Sequence, residues 1–214
     1  MADLTWLRRL AMHARKRQPK PVRWVLRVGK LVMQPGQTSA AIDPELIRDC
    51  RFFASRFELI RGLPTGGDVG EVGTDRGHFA RHILKTAAPR RLHLFDLEFA
   101  SLEPDVASDP RVTLHLGASP GTLSALADAS MDWIYIDGDH SYAGAAADAR
   151  VAATKVKPGG YLVFNDFAHA DPFLGRYGVH RAVMEFATTA RWPMAMFAYE
   201  PNGLYDVALR RPGG

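Results

Sequence analysis

At 214 residues with 47% hydrophobic residues, the chain can bury one sizeable core. Its single cysteine, Cys50, excludes an internal disulfide framework and fits a reducing compartment. The longest apolar stretches are strand-sized, short of the roughly 20 residues that a membrane span requires, so the cytoplasm is the expected location. The formal charge of +4 is unevenly spread: residues 1–30 hold nine Lys or Arg against one Asp, and the remainder is mildly acidic. This divides the chain into a basic N-terminal extension, 1–42, and a body, 43–214.

In the extension, basic residues from Arg8 to Lys30 alternate with Trp6, Leu10, Trp24 and Leu26, without the apolar core and small-residue cleavage site of a secretory signal. Two readings compete. One is an arm that touches nucleic acid or an anionic membrane. The other, preferred, is a solvated extension whose tryptophans pack on the body or on a second subunit of a homo-oligomer. From Asp43 the pattern changes. Asp43 caps and Pro44 opens a predicted helix, and Leu46, Cys50, Phe53, Phe57 and Ile60 recur at helical spacing to form a stripe that covers a sheet. Cys50 lies on that stripe and reads as core, not as a nucleophile.

The body is organised around residues 68–77, Asp-Val-Gly-Glu-Val-Gly-Thr-Asp-Arg-Gly. A strand over Val69–Val72 enters a glycine-punctuated loop that opens a helix over His78–Leu84, the arrangement a nucleotide-type cofactor needs at the carboxyl end of a strand. The spacing is not the dinucleotide Gly-x-Gly-x-x-Gly. Glu71 and Asp75 in the loop repel phosphate but suit a cofactor that carries an ammonium and a sulfonium. A second strand over Arg91–Phe95 ends at Asp96, about twenty residues past the loop, where an acid can accept from both ribose hydroxyls; Glu98 is the fallback. A third strand, Val112–Leu116, leads into Gly117, Ala118 and Ser119, a small-residue turn suited to lie against an adenine ring. His115 within that strand reads as a satisfied edge histidine.

The fourth strand, Met131–Ile136, runs into Asp137-Gly138-Asp139-His140-Ser141-Tyr142, a density of polar groups that is costly at a strand end unless used. A helix over Tyr142–Val156 stops at Lys157-Pro158-Gly159-Gly160. A fifth strand, Tyr161–Phe164, ends at Asn165-Asp166. Residues 171–178, with glycines at 175 and 178, read as a lid over this edge. A helix over Val179–Thr189 follows, and then a hairpin of Met194–Ala198 and Tyr205–Arg211 turning at Asn202-Gly203.

Five strand and helix units followed by an antiparallel hairpin give an α/β, Rossmann-like sheet of seven mostly parallel strands with helices on both faces. The segment Glu71-x-Gly73-x-x-x-Gly77 resembles the first motif of class I S-adenosylmethionine-dependent methyltransferases, and the strand order is similar to theirs over residues 45–211. The run Ile-Asp-Gly-Asp-His-Ser-Tyr, with Lys-Pro-Gly-Gly and Asn-Asp, is similar to bacterial metal-dependent sugar and macrolide O-methyltransferases, and less closely to catechol-type ones. The resemblance implies S-adenosylmethionine held by Glu71, Gly73, Asp75, Gly77, Asp96, Gly117, Ala118, Ser119 and Asp137. It also implies a divalent metal, usually magnesium, on Asp137, Asn165 and Asp166, and His140 as general base toward a small-molecule hydroxyl. Three oxygen ligands at one sheet edge would suit such an ion independently of the resemblance; Asp139 and His169 are substitute ligands. Metal-free transfer, and a non-catalytic module that binds cofactor or nucleic acid through the basic arm, are the alternatives. No Asn-Pro-Pro-Tyr or Asp-Pro-Pro-Tyr follows the fourth strand, against a nucleobase amino-methyltransferase.

Overall fold

The structure, a computed structural model, describes residues 41–171 and 175–213; the basic run of the extension lies outside them. Their main element is one eight-stranded sheet. Its strands are β1 (Arg51–Phe53), β2 (Asp68–Val72), β3 (Arg91–Asp96), β4 (Val112–Leu116), β5 (Met131–Ile136), β6 (Val156–Phe164), β9 (Met194–Ala198) and β10 (Asp206–Arg210), in the order β1-β9-β10-β6-β5-β2-β3-β4. A separate two-residue pair, β7 (Ala170–Asp171) and β8 (Gly175–Arg176), is antiparallel. Within the main sheet only β10 runs against its neighbours, as the C-terminal hairpin expected from Asn202-Gly203 requires. The expected lid includes residues 172–174, which lie outside the described residues.

Helices cover both faces. On one side α1 (Arg56–Arg61) and α2 (His78–Thr86) bury Leu59, Ile60, Ile83 and Leu84 against Val69, Leu92, Leu94, Trp133 and Val163; α3 (Pro104–Ala107) adds Val106. On the other, α4 (Ser119–Ser124), α5 (Tyr142–Lys155) and α6 (Val179–Ala190) pack Leu123, Ala149, Ala152 and Val183 on Phe95, Ile134, Leu162 and Val207. Residues that alternate along each strand face opposite layers, and the central strands are buried on both, which explains their near-continuous apolar runs.

Two expectations are corrected. The helix predicted from Asp43 through Ile60 is three elements. Asp43 does cap a start with Pro44 at its first position, but only a 3-10 turn, Pro44–Leu46, follows. Arg51–Phe53 then adds an eighth, edge strand parallel to β9, and Ser55 caps α1 by accepting from the Glu58 amide. The apolar spacing misleads because it runs unbroken across elements that bury different residues, and Phe57 on the supposed stripe is exposed. Cys50 is partly buried against the core, as expected, and burial pushes its thiol pKa up. The second correction concerns Lys157-Pro158-Gly159-Gly160. These residues lie inside β6, looped out between the Met131–Val156 and Trp133–Tyr161 pairs, so α5 stops at Lys155 and the strand begins earlier than predicted.

Candidate active site

After the edge strand β1, the chain enters the middle of the sheet at β2, steps outward to β3 and β4, then returns to β5 on the other side of β2. Such a switch point opens a crevice beyond the carboxyl ends of the two central strands, the usual ligand position in open α/β sheets. Hydrogen bonds continue the ladder past the strand ends: Gly117 to the Asp96 carbonyl (2.9 Å), Gly73 to Phe95 (2.8 Å), Asp137 to Val72 (2.8 Å) and Asn165 to Ile136 (3.0 Å). The loops after all five strands therefore begin at one level, which brings the residues singled out in the sequence to one edge.

Gly73 has φ +85°, and a Cβ there would lie 2.2 Å from the Asp137 carbonyl oxygen, so glycine lets the β2 loop run directly against the β5 loop. Gly77 caps α2 and donates its amide to the Thr74 carbonyl. Asp75 also sits in the left-handed region, at φ +49°, and its side chain faces solvent. The Asp96 carboxylate clamps this loop: Oδ2 accepts from the Thr74 and Asp75 amides, both at 3.0 Å, and Oδ1 accepts from Leu97 at 2.6 Å. The ribose role expected of Asp96 thus shares its oxygens with the loop's own backbone. Glu98 is exposed two residues on.

Glu71 projects beneath the loop, 1% exposed, and its Oε2 has no hydrogen-bond partner. Burial, and then the nearby Asp137, push its pKa well above the ordinary carboxylate range, with Thr74 opposing. At the β4 end, Ala118 precedes α4, and the Ser119 hydroxyl donates to Asp148 Oδ1 on α5. Asp148 is buried, and desolvation raises its pKa to about 6, against the Ser119 hydrogen bond.

Beyond β5 and β6, the His140 Nε2 lies 3.3 Å from Asp137 Oδ1 and 4.0 Å from Asp166 Oδ2, aligned with neither for a hydrogen bond. Burial opposes protonation of this imidazole. The Asp137 carboxylate, and more weakly Asp166 and Asp139, outweigh burial and hold its pKa above the ordinary histidine range. Its ring stacks on Tyr177 at 4.6 Å, and its carbonyl accepts from Gly178. Asp166 occupies φ +53°, a conformation rare outside glycine that Asp tolerates. His169 is exposed and lies 4.0 Å, ring to ring, from His180.

The expected metal ligands share the edge but do not form a preassembled centre. Asn165 is buried with its amide nitrogen donating to Tyr135 Oη (3.2 Å) and Asp206 Oδ1 (3.1 Å), while Tyr135 donates to Asp206 Oδ2. His140 stands between the carboxylates of Asp137 and Asp166. Among the described residues no group of three or more His, Cys, Asp or Glu side chains is arranged to hold a metal ion. The bonds of Asn165 use its nitrogen and leave its Oδ1 for a ligand role, so Asp137, Asn165 and Asp166 remain the residues that would hold the implied ion, and no step is derived through it.

Sequence reasoning missed Arg56, Thr74, Asp148 and Asp206. Arg56 sits in the first turn of α1, whose signal is the Ser55-x-x-Glu58 capping box. Asp148 stands alone in an alanine-rich helix, a pattern that itself hints at a buried polar contact. Asp206 opens a strand on the far side of β6 and becomes part of the site only through sheet order. The four buried side-chain atoms without a partner among the described residues are Arg56 Nε, Glu71 Oε2, Thr74 Oγ1 and His140 Nε2. All four belong to residues at this edge.

A family model described as a methyltransferase domain matches residues 71–167, the segment from Glu71 through the β6 loop. A search of curated proteins returns no match. Among solved structures, the fold is similar to an O-methyltransferase family protein from Burkholderia thailandensis, with TM-score 0.55, 15% identity, 74% of this chain covered and 56% of that one. It is likewise similar to the N-methyltransferase NodS from Bradyrhizobium japonicum in complex with S-adenosyl-L-homocysteine (TM-score 0.56, 13% identity, 73% and 86% covered). The tRNA methyltransferase TrmK from B. subtilis is a third (TM-score 0.56, 14% identity, 75% and 67% covered). The likenesses share the fold, and the family model supports a methyltransferase domain; neither distinguishes the atom that receives the methyl group. No helix among the described residues is long and apolar enough to cross a membrane.

Proposed function

We propose that the chain transfers the methyl group of S-adenosylmethionine to a hydroxyl oxygen of a small-molecule acceptor. The observation that carries the cofactor assignment is the set of unpartnered buried polar atoms at the switch point. A buried donor or acceptor left unpaired costs about 1–3 kcal/mol, and here the deficit is concentrated where a ligand would complete it. Glu71 suits the cofactor's ammonium, the Asp96-clamped loop its ribose side, and residues 117–119 its adenine.

In the transfer, a lone pair of the acceptor oxygen forms a bond to the methyl carbon as the carbon–sulfur bond breaks. Its electrons neutralise the sulfonium to give S-adenosylhomocysteine, and the hydroxyl proton passes to His140 Nε2. Asp137 and Asp166 stabilise the imidazolium that results. The rest of the chain's contribution is alignment of oxygen, carbon and sulfur. A magnesium ion, where the resemblance implies one, would take the Oδ1 of Asn165, whose amide nitrogen is committed to Asp206 and Tyr135; this reading carries no step through it. The extension is proposed to serve acceptor access or self-association. A screen of methyl transfer over sugar, macrolide and catechol hydroxyls, run with and without chelator, tests the reading. Transfer to at least one hydroxyl is expected in both arms, and transfer confined to amine or nucleic-acid acceptors contradicts it.

A further inference from the structure

Resting on the cofactor reading above, we infer that Arg56 is the residue that reads the carboxylate on the cofactor's amino-acid head, so that the site selects a carboxylated ligand over its decarboxylated counterpart. Arg56 is set in place at three points. Its backbone amide donates to Glu200 Oε1 at 2.8 Å, which ties the start of α1 to the turn between β9 and β10. Its guanidinium lies over the rings of Phe79 (5.1 Å) and Phe57 (5.5 Å). Phe79 in turn rests on Tyr135, at 4.4 Å between ring centroids. A guanidinium placed over aromatic rings beside Tyr135, with its Nε still unpartnered, can present a planar fork of donors, the geometry that matches a carboxylate.

The surroundings say where that edge is used. Asp206, Asp137 and Glu71 act on Arg56 through space, which places the cation within the acidic edge described above. Yet its Nε is buried without a hydrogen-bond partner, and so is Glu71 Oε2, on a side chain that is only 1% exposed. A half-buried cation and a buried acid, close enough to influence each other while each keeps an unmet buried hydrogen-bonding atom, match a ligand that carries both charges on adjacent atoms. An α-amino acid head has that form: its ammonium answers Glu71 and its carboxylate answers Arg56. The buried Thr74 hydroxyl, which also lowers the Glu71 pKa, supplies a further donor beside that carboxylate.

A carboxylate could also come from the acceptor, and the experiment separates the two sources. The full-length protein is titrated calorimetrically with S-adenosylhomocysteine and with its decarboxylated analogue, as wild type and as Arg56→Gln. The expected result is that the wild type prefers the carboxylated ligand by about tenfold or more. Arg56→Gln loses about that factor for S-adenosylhomocysteine while holding the decarboxylated ligand within about twofold, so the discrimination collapses. Equal loss for both ligands would make Arg56 a structural support and overturn the inference. Unchanged affinity for both, with a raised KM for a carboxylated acceptor, assigns Arg56 to the acceptor and overturns it as well. A wild type that binds neither ligand removes the cofactor reading itself. If Arg56→Gln does not fold, Arg56→Lys keeps the charge but not the planar fork; discrimination must then fall by about threefold or more, and undiminished discrimination counts against the inference.

Discussion

His140 and Asp206 show how one edge raises two pKa values for different reasons. Burial disfavours the charged imidazole, but Asp137, and more weakly Asp166, outweigh it, so its pKa lies above the ordinary histidine value. A general base must be neutral to accept the acceptor's proton, so kcat/KM should rise with pH through a value above about 6.5. His140→Gln should lower turnover on the order of 10²-fold and leave cofactor affinity intact. Loss of cofactor affinity in parallel would place the imidazole in the binding site instead. Asp206 is fully buried, and desolvation raises its pKa to about 7, with the Tyr135 hydrogen bond opposing. Because the folded-state pKa lies above the unfolded one, the associated stability is present at low pH and is lost as pH rises from about 4 through about 7. Asp206→Asn can keep both contacts: its oxygen accepts from Asn165, and its amide donates to a rotated Tyr135 hydroxyl. Thermal unfolding at pH 5 and pH 8 should therefore show the wild type losing stability relative to Asp206→Asn at the higher pH. A constant difference would contradict the buried-acid assignment.

At the scale of elements, the glycine loop is the part whose sequence and structure agree most closely. Gly73 sits at φ +85° with the Asp137 carbonyl 2.2 Å from where a Cβ would lie, so Gly73→Ala should destabilise the protein by about 1–3 kcal/mol in chemical denaturation. A neutral result would mean that the two loops are not in contact. The Asp96 carboxylate holds three amides, so Asp96→Ala should both loosen the loop and lower cofactor affinity at least about tenfold, roughly 1.4 kcal/mol by calorimetry. Unchanged affinity would shift the ribose contact toward Glu98. These strands and the loop were legible because glycine and acid sit at fixed offsets from short apolar runs. The segment before them was not. Leu46, Phe53 and Ile60 keep helical spacing across a turn, a strand and a helix, and only the capping box at Ser55 marks the true start of α1. Lys-Pro-Gly-Gly reads as a stop in sequence, yet pairing on either side of it draws the segment into β6 as a bulge.

For the whole molecule, sheet order converts separate strand ends into one site, and this sets what a sequence can reveal. The loops after β2, β3, β4, β5 and β6 could each be found locally. Asp206 could not, because β10 reaches β6 only after the chain has passed through α6 and β9. Likewise, the side chain of Asn165 turns inward to Asp206 and Tyr135, which no spacing rule announces. Among the described residues, all of which follow position 40, the sheet and both of its hydrophobic layers are already formed. Removal of the basic residues 1–30 should leave cofactor affinity nearly unchanged while altering elution size or acceptor turnover. Loss of cofactor binding would make the extension part of the fold. The central claim is that S-adenosylmethionine occupies the edge at which the unpartnered buried atoms gather. Its most direct test is calorimetric titration of S-adenosylhomocysteine into the wild type and Glu71→Ala. One-site binding by the wild type, weakened about tenfold or more in the variant, is the expected result; equal binding by both proteins, or no binding by the wild type, would contradict it.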